Sequence, residues 1–390
     1  MRIMHICRAP EMLVKFMIPV MKEQMRQGHD VCVCVSVHKD LCMTQSAALS
    51  VSKFEEAGVD VYAHGLNRSI NPVQMCKAIY QVRQLLKEHA VDVVICHSVL
   101  GSVLGRISAW LAGVRHRIYF CHGLACGPGE NKLSWIVKYS LERFMAMFTT
   151  GMLVMNRYDY RLSKSHNFVK KEQLFMTSGM GIDVSEYDVS DSGTIKKDIY
   201  KELGISSDKK LVICVARLIA KKGVRDYICA AIDICFKRED VCFLLVGDGP
   251  LMSVLTHSIA KAGVEDRVKL LGWRDDVARV SKAADIFVLP SYYPEGLSIA
   301  VLEAMAAGKA VITTNNRGCE DSVKNNVTGI VIPMRNLPQL VKSITRLLDN
   351  SRLRESLGKN ARAHVLDHYT LAYCTRVIVT CLNNCIKPLC

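Results

Sequence analysis

The 390-residue chain has no apolar run long enough to cross a bilayer. Its longest uncharged apolar stretch, 144–155, falls well short of the about 20 residues a spanning helix needs. There is no Cys-x-x-Cys pair and no Cys/His cluster at zinc-ligand spacing, so a structural zinc module is not expected. No segment repeats with a period of 20–50 residues, which argues against a solenoid. Aromatic residues make up only 7% of the chain, and it carries no helix-turn-helix pattern, zinc finger or RNP-like aromatic motif. Nucleic acid is therefore not an expected partner. Gly (24) and Pro (10) are at ordinary levels, which excludes collagen-like and low-complexity classes.

What remains is a globular composition, 50% hydrophobic and 23% charged, with room for two or three domains. Lys and Arg (51) exceed Asp and Glu (37), giving a net charge of +14. Such a surplus favours anionic partners, whether acidic lipid or phosphorylated substrate. The 17 cysteines are an odd number set in apolar runs such as 31–35 and 212–216. They read as buried small hydrophobes in a reducing cytoplasm. The opening MRIMHIC reads as a short strand with no long apolar signal region behind it.

Hydrophobic periodicity alternates between strand and helix from residue 2 to about 121, then again from 211 onward. This predicts an α/β fold of two doubly wound, parallel-sheet (Rossmann-like) domains facing a central cleft. The expected boundaries are 1–180 for an N-terminal domain and 209–366 for a C-terminal domain. The polar, turn-rich stretch 181–208 reads as a linker. Residues 367–390 read as a C-terminal helix.

Candidate chemistry collects at strand ends in the second half. Strand 211–216 runs into Arg217-Leu218-Ile219-Ala220-Lys221-Lys222-Gly223. Two cations five apart, ahead of a helix start, would suit a diphosphate, although a solvated basic loop has the same composition. Strand 286–290 runs into Glu295-Gly296-Leu297-Ser298 and a helix that carries Glu303. Ser298 is a candidate helix cap, and the free amides of the helix start favour an anion. Glu303 is flanked by Val301, Leu302, Ala304, Met305 and Ala306, so its carboxylate needs a partner.

The run from Glu295 to Glu303, followed by AMAAGKAVITT, resembles the E-x7-E signature of the retaining glycosyltransferases of family 4. ARLIAKKG (216–223), VGDGPL (246–251) and LGW (271–273) resemble further blocks of that family, in the same order. The resemblance implies a GT-B fold with a C-terminal helix crossing back, and a nucleotide-sugar donor. It assigns Glu303 to the ribose hydroxyls and Glu295 to the sugar hydroxyls near the anomeric carbon. Amides of Gly296, Leu297 and Ser298 would meet the diphosphate or sugar, and Arg217 and Lys222 would neutralise the leaving nucleoside diphosphate. No Asp-x-Asp occurs, so no metal and no cofactor are expected, and the two cations would stabilise the leaving group.

In the first half, 92–123 and 156–160 resemble bacterial capsule, exopolysaccharide and O-antigen members of the family. The resemblance places His122, of the pair His122-Gly123, at the catalytic centre, and Glu295 is the other catalytic candidate. His97, at another strand end, reads equally as structural or functional. Arg106 would reach a phosphate or lie on a solvated face. Lys15 and Phe16 resemble acceptor-side positions of polysaccharide-type members, although the preceding loop, Arg8 to Met12, lacks the glycine pair common in the family. Residues 131–148 form a basic amphipathic segment that would lie on an anionic membrane or simply face a core.

The expected activity is transfer of a hexose or N-acetylhexosamine, from a UDP-sugar in preference to a GDP-sugar. The acceptor would be a polysaccharide or a polyprenyl-diphosphate-linked glycan. The expected location is the cytoplasm, peripheral on the inner face of the plasma membrane. The competing readings are a sugar-nucleotide epimerase of the same fold, a non-catalytic basic binding protein and an inactive partner subunit.

Overall fold

The computed structural model describes residues 1–36, 45–65, 71–128, 130–292 and 294–387. Contacts divide the chain into two units, Met1–Gly181 with Leu371–Cys390, and Ile182–Thr370. Each is built on one parallel sheet.

The first sheet contains β1 (Arg2–Cys7), β2 (Asp30–Ser36), β3 (Asp60–His64), β4 (Val93–His97), β5 (His116–Cys121), β6 (Gly151–Val154) and β7 (Leu174–Met176), in the order β3-β2-β1-β4-β5-β6-β7. The strand order reverses between β1 and β4. The carboxyl ends at such a switch point leave a crevice where ligands bind in open α/β sheets. Register sets Ile6 opposite Cys96 and His97 opposite Phe120, so the ends of β1, β4 and β5 lie side by side. Met4, Ile6, Cys32, Cys34 and Cys96 pack into one core with residues of helices Pro72–Glu88 and Val99–Ala112. The thiols in the strands act as small hydrophobes, and all cysteines among the described residues are free. Helix Val99–Ala112 sits close on the sheet because of Gly105, where a Cβ would lie 2.6 Å from Cys96 Sγ.

The second sheet contains β8 (Lys210–Val215), β9 (Val241–Val246), β10 (Val268–Gly272), β11 (Ile286–Leu289), β12 (Ala310–Thr314) and β13 (Ile330–Ile332), in the order β10-β9-β8-β11-β12-β13. Here the switch point falls between β8 and β11. These are the strands whose following loops carry Arg217, Lys222 and Glu295.

Two boundaries differ from the sequence reading. Residues 181–208 do not form a linker, because all but Gly181 belong to the second unit. They contain a 3-10 turn, Val184–Tyr187, and a helix, Ser192–Glu202. That helix buries Ile199 and Tyr200 and ties to the start of β11 through Lys196, whose Nζ donates to Asp285 at 2.8 Å. The high polar content of the stretch belongs to its solvent face and to Asp183 and Asp188, which receive the side chains of Ser185 and Ser190 in short local turns. At the other end, the second unit extends to Thr370, where Ile182 N donates to Tyr369 O at 3.0 Å. The terminal helix, Leu371–Ile386, packs within the first unit on helix Ile18–Arg26 and on β5 and β6.

Candidate active site

The loop after β8 is fastened at both ends. Leu218 N donates to Asp248 O at 2.9 Å, and Leu251 N donates to Leu218 O at 3.1 Å, which joins ARLIAKKG to the GDGPL loop. A single 3-10 turn, Ala220–Lys222, then delivers the chain to Gly223, which has φ +71°. A Cβ at Gly223 would stand 2.0 Å from the carbonyl oxygen of Pro290, so only glycine lets this loop close on the end of β11. Tyr292 N donates to Lys221 O at 2.9 Å and completes the join.

This join brings Lys222 to Glu295. Lys222 Nζ donates to Glu295 Oε1 at 2.7 Å, with the two side chains 19% and 13% exposed. Ser291 Oγ donates to the same oxygen at 3.4 Å, and the Cys319 thiol faces it at 4.0 Å. Burial first, and then the Glu295 charge, push the Cys319 thiol upward, so it stays protonated. Arg217 is exposed at the end of β8, with no ion pair holding it among the described residues. Arg335 stacks on the ring of Tyr292 at 4.5 Å.

The helix start beyond Glu295 differs from expectation in one detail. Ser298 occupies the cap position with extended backbone, but its side chain makes no capping bond. Its amide donates to Gly318 O at 2.9 Å and so is not free to meet a diphosphate. Leu297 is nearly buried, and Gly296 lies in the same turn. Glu303 is half-buried in helix Ile299–Ala306, and its partner is the phenol of Tyr187. Burial and the Glu303 carboxylate both push that phenol upward. The two glutamates of the E-x7-E run are thus held by different partners, Lys222 for one and Tyr187 for the other.

In the first unit, the ends of β1, β4 and β5 bring three imidazoles into a row. His5 Nδ1 lies 3.0 Å from His97 Nε2, and His97 Nδ1 lies 3.0 Å from His122 Nε2. Gln24 Oε1, on helix Ile18–Arg26, closes the far end at 3.0 Å from His5 Nε2. The rings stack with interplanar angles of 12° and 19°. His5 and His97 are fully buried, whereas His122 is half-buried. Burial lowers His5 and His122 to about 4 and His97 well below the ordinary histidine value, so all three are neutral near pH 7. Among the described residues, no group of three His, Cys, Asp or Glu side chains is placed to hold a metal ion.

Residues 19–175 match the family model for the Glycosyl transferase 4-like domain, and residues 195–364 match that for Glycosyl transferases group 1. The UDP-Gal:alpha-D-GlcNAc-diphosphoundecaprenol alpha-1,3-galactosyltransferase of Escherichia coli is 30% identical over 310 residues, covering 78% of this chain and 79% of that protein. The chain belongs to glycosyltransferase family 4. The N,N'-diacetylbacillosaminyl-diphospho-undecaprenol alpha-1,3-N-acetylgalactosaminyltransferase of Campylobacter jejuni is 26% identical to this glycosyltransferase over 378 residues, covering 94% and 95% of the two chains. Among solved structures, Anabaena Alr3699/HepE in complex with UDP and glucose superposes with a TM-score of 0.79 at 19% identity, covering 98% and 99% of the two chains. A glycosyltransferase from Rickettsia africae superposes with a TM-score of 0.80 at 17% identity, covering 99% and 98%. These likenesses show that the glycosyltransferase has the GT-B fold.

One of the expected acceptor-side residues, Arg106, is placed differently from the sequence reading. Arg106 neither reaches outward nor lies on a solvated face. It is 2% exposed, with its guanidinium 3.8 Å from the buried carboxylate of Glu142 and 4.2 Å from the centre of the Tyr119 ring. Its remaining donors go to Ser102 and Thr149. Glu142 and Asp159 in turn accept the amides of Ala125 and Leu124, so this buried cluster anchors the backbone that follows His122-Gly123. Lys15 is exposed, with its ammonium 5.3 Å from the ring of the half-buried Phe16. Lys15 lines a groove of about 710 Å³ with Glu11, Lys22 and Lys53. The sequence reading missed Tyr187, Gln24 and His5. Tyr187 lay in the stretch read as linker, and His5 and Gln24 looked like ordinary members of a strand and a helix.

Proposed function

We propose that this glycosyltransferase moves a hexose or N-acetylhexosamine from a UDP-sugar to a polyprenyl-diphosphate-linked or other glycan acceptor, with retention at the anomeric carbon and without a metal. Both curated relatives described above are named for lipid-linked diphosphate acceptors, and one is named for a UDP-sugar. The observation that carries the reading is the closure of the Arg217–Gly223 loop on the end of β11, which sets Lys222 against Glu295.

Breaking the glycosyl–phosphate bond leaves negative charge on the nucleoside diphosphate. Arg217 and Lys222 stabilise that charge, with help from the amides of Gly296 and Leu297. Glu303 holds the ribose hydroxyls, and Glu295 holds the sugar near the anomeric carbon. His122 is assigned to a hydroxyl of the transferred sugar. The acceptor hydroxyl attacks from the face the diphosphate leaves, and a leaving-group phosphate oxygen takes its proton.

The acceptor's lipid calls for contact with a membrane surface. Helix Lys132–Ala146 exposes Leu133, Val137, Leu141 and Phe144 beside Lys132 and Arg143, while burying Met145 and Ala146. We assign this face to an anionic bilayer, on the inner side of the plasma membrane. No helix among the described residues is long and apolar enough to cross a membrane.

The test is incubation with a panel of UDP- and GDP-sugars and a short-chain polyprenyl-diphosphate sugar, with chelator present. Product mass and anomeric coupling are the readouts. One UDP-sugar giving an α-linked product is the expected result. Inversion at the anomeric carbon, or transfer that disappears with chelator, overturns the mechanism. Transfer from no donor overturns the function. Flotation with anionic vesicles tests the membrane face, and binding insensitive to both salt and Phe144→Ser would remove that assignment.

A further inference from the structure

We infer that Gln24, His5 and His97 are positioning residues that fix the tautomer of His122, leaving its Nδ1 as a bare hydrogen-bond acceptor for a sugar hydroxyl. This rests on the reading of His122 as the residue beside the transferred sugar.

A neutral imidazole carries one N–H and one lone pair. Each ring that bridges two neighbours must therefore donate at one nitrogen and accept at the other. Three contacts of 3.0 Å link Gln24, His5, His97 and His122 into one chain, so its direction is set at one end and propagates to the other. That end is Gln24, whose amide is oriented with its oxygen towards His5 Nε2 and, so oriented, accepts there. His5 then carries its proton on Nε2 and accepts at Nδ1. His97 Nε2–H donates to His5 Nδ1, and His122 Nε2–H donates to His97 Nδ1. The lone pair left over falls on His122 Nδ1.

A second observation shows that this end of the chain is open to a ligand. His122 Nδ1 is shielded from solvent and has no hydrogen-bond partner among the described residues. A buried polar nitrogen in that state is one that a ligand satisfies, and the polarity set at Gln24 makes it an acceptor. The opposite polarity would put an N–H at that position and invite a phosphate oxygen instead. No ring can reverse alone, because two protons or two lone pairs would then face each other across 3.0 Å. Burial keeps the chain free of imidazolium, which donates from both nitrogens and would break the sequence. The ligand class implied is thus a neutral hydroxyl donor, and the selectivity against phosphate at this end of the sheet originates at Gln24.

The test uses the full-length protein labelled with ¹⁵N-histidine at pH 7.5. Two-bond ¹H–¹⁵N correlations report which nitrogen of each imidazole is protonated, and His122 is assigned from the signals lost in His122→Asn. The expected result is the Nε2–H tautomer at His5, His97 and His122, without the mixture seen for exposed histidines. An Nδ1–H tautomer or a mixture at His122 overturns the proposal, and this reading needs no variant of the chain itself. Gln24→Met removes the end stop. It is expected to convert His122 to a tautomer mixture and to lower kcat about tenfold, the worth of one neutral hydrogen bond. If the tautomer shifts while transfer is unchanged, the positioning role falls and so does the place of His122 in the reaction. If the wild-type tautomer is as stated but no donor supports transfer, the relay stands and the proposed function fails.

Discussion

Lys222 Nζ donates to Glu295 Oε1 at 2.7 Å across 73 positions of the chain. One side chain ends the loop after β8 and the other follows β11, so the pair reports directly on the switch point of the second sheet. In the proposed mechanism, Lys222 acts on the leaving group as part of that pair. Lys222→Met and Glu295→Ala are each expected to lower kcat/KM by about 10²–10³, the range for losing one preorganised stabiliser of developing charge. The double variant is expected to be no worse than the poorer single one, since the residues act as a unit. Steady-state UDP release checks this, and strictly multiplicative losses would separate the two roles.

The same join predicts the cost of a methyl group at Gly223. The residue combines φ +71° with a carbonyl oxygen 2.0 Å from where a Cβ would stand. Left-handed backbone alone costs a non-glycine residue roughly 1–2 kcal/mol, and here the loop must also withdraw from Pro290. Gly223→Ala is expected to destabilise the protein by at least about 2 kcal/mol and to weaken donor binding, because Lys222 moves with the loop. Urea unfolding and a UDP titration measure the two effects. A variant with wild-type stability would show that the join is not tight.

Arg106 offers a test of structure against function. Its guanidinium is buried beside Glu142 and Tyr119. Removing one member of a buried pair costs about 3–5 kcal/mol because the other charge is stranded. Arg106→Met is expected to lower the unfolding midpoint strongly, and Arg106→Met with Glu142→Leu to recover part of the loss. At a temperature where both variants remain folded, the acceptor KM is expected to stay within a few-fold of wild type. A large rise in KM with stability intact would return Arg106 to the acceptor site.

The strand and helix alternation was legible because a parallel sheet covered on both faces writes near-continuous apolar runs, such as 93–97 and 286–289. The candidate residues Arg217, Lys222, Glu295 and Glu303 could be picked out of the sequence because ARLIAKKG and E-x7-E are contiguous blocks. Residues 181–208 misled because Ile195, Ile199 and Tyr200 are few apolar positions in a polar stretch, and their helix owes its place to tertiary packing and the Lys196–Asp285 pair. Arg106 misled because a lone arginine on a helix does not announce a buried partner 36 residues ahead in sequence. The row of histidines was invisible for a related reason. Residues 5, 24, 97 and 122 become neighbours only through the β1-β4-β5 order of the sheet, which no local pattern records.

The buried row also fixes how stability depends on pH. His5 and His122 fall to about 4 and His97 well below the ordinary value, with burial the main cause in each. For His97, the two neighbouring imidazoles add to burial, whereas Gln24 opposes it at His5. In the unfolded chain the same groups titrate near 6.5. The unfolded state therefore binds more protons as pH falls from about 6.5 towards 4, and the folded state loses stability across that window. Each such proton contributes a slope of about 1.4 kcal/mol per pH unit. His97→Phe removes one titrating group and leaves both neighbours short of a partner. It is expected to be less stable than wild type at pH 7 but to lose stability less steeply between pH 6 and 5. Urea midpoints at pH 7, 6 and 5 for the two proteins decide the point, and parallel slopes would mean that His97 takes up its proton without unfolding.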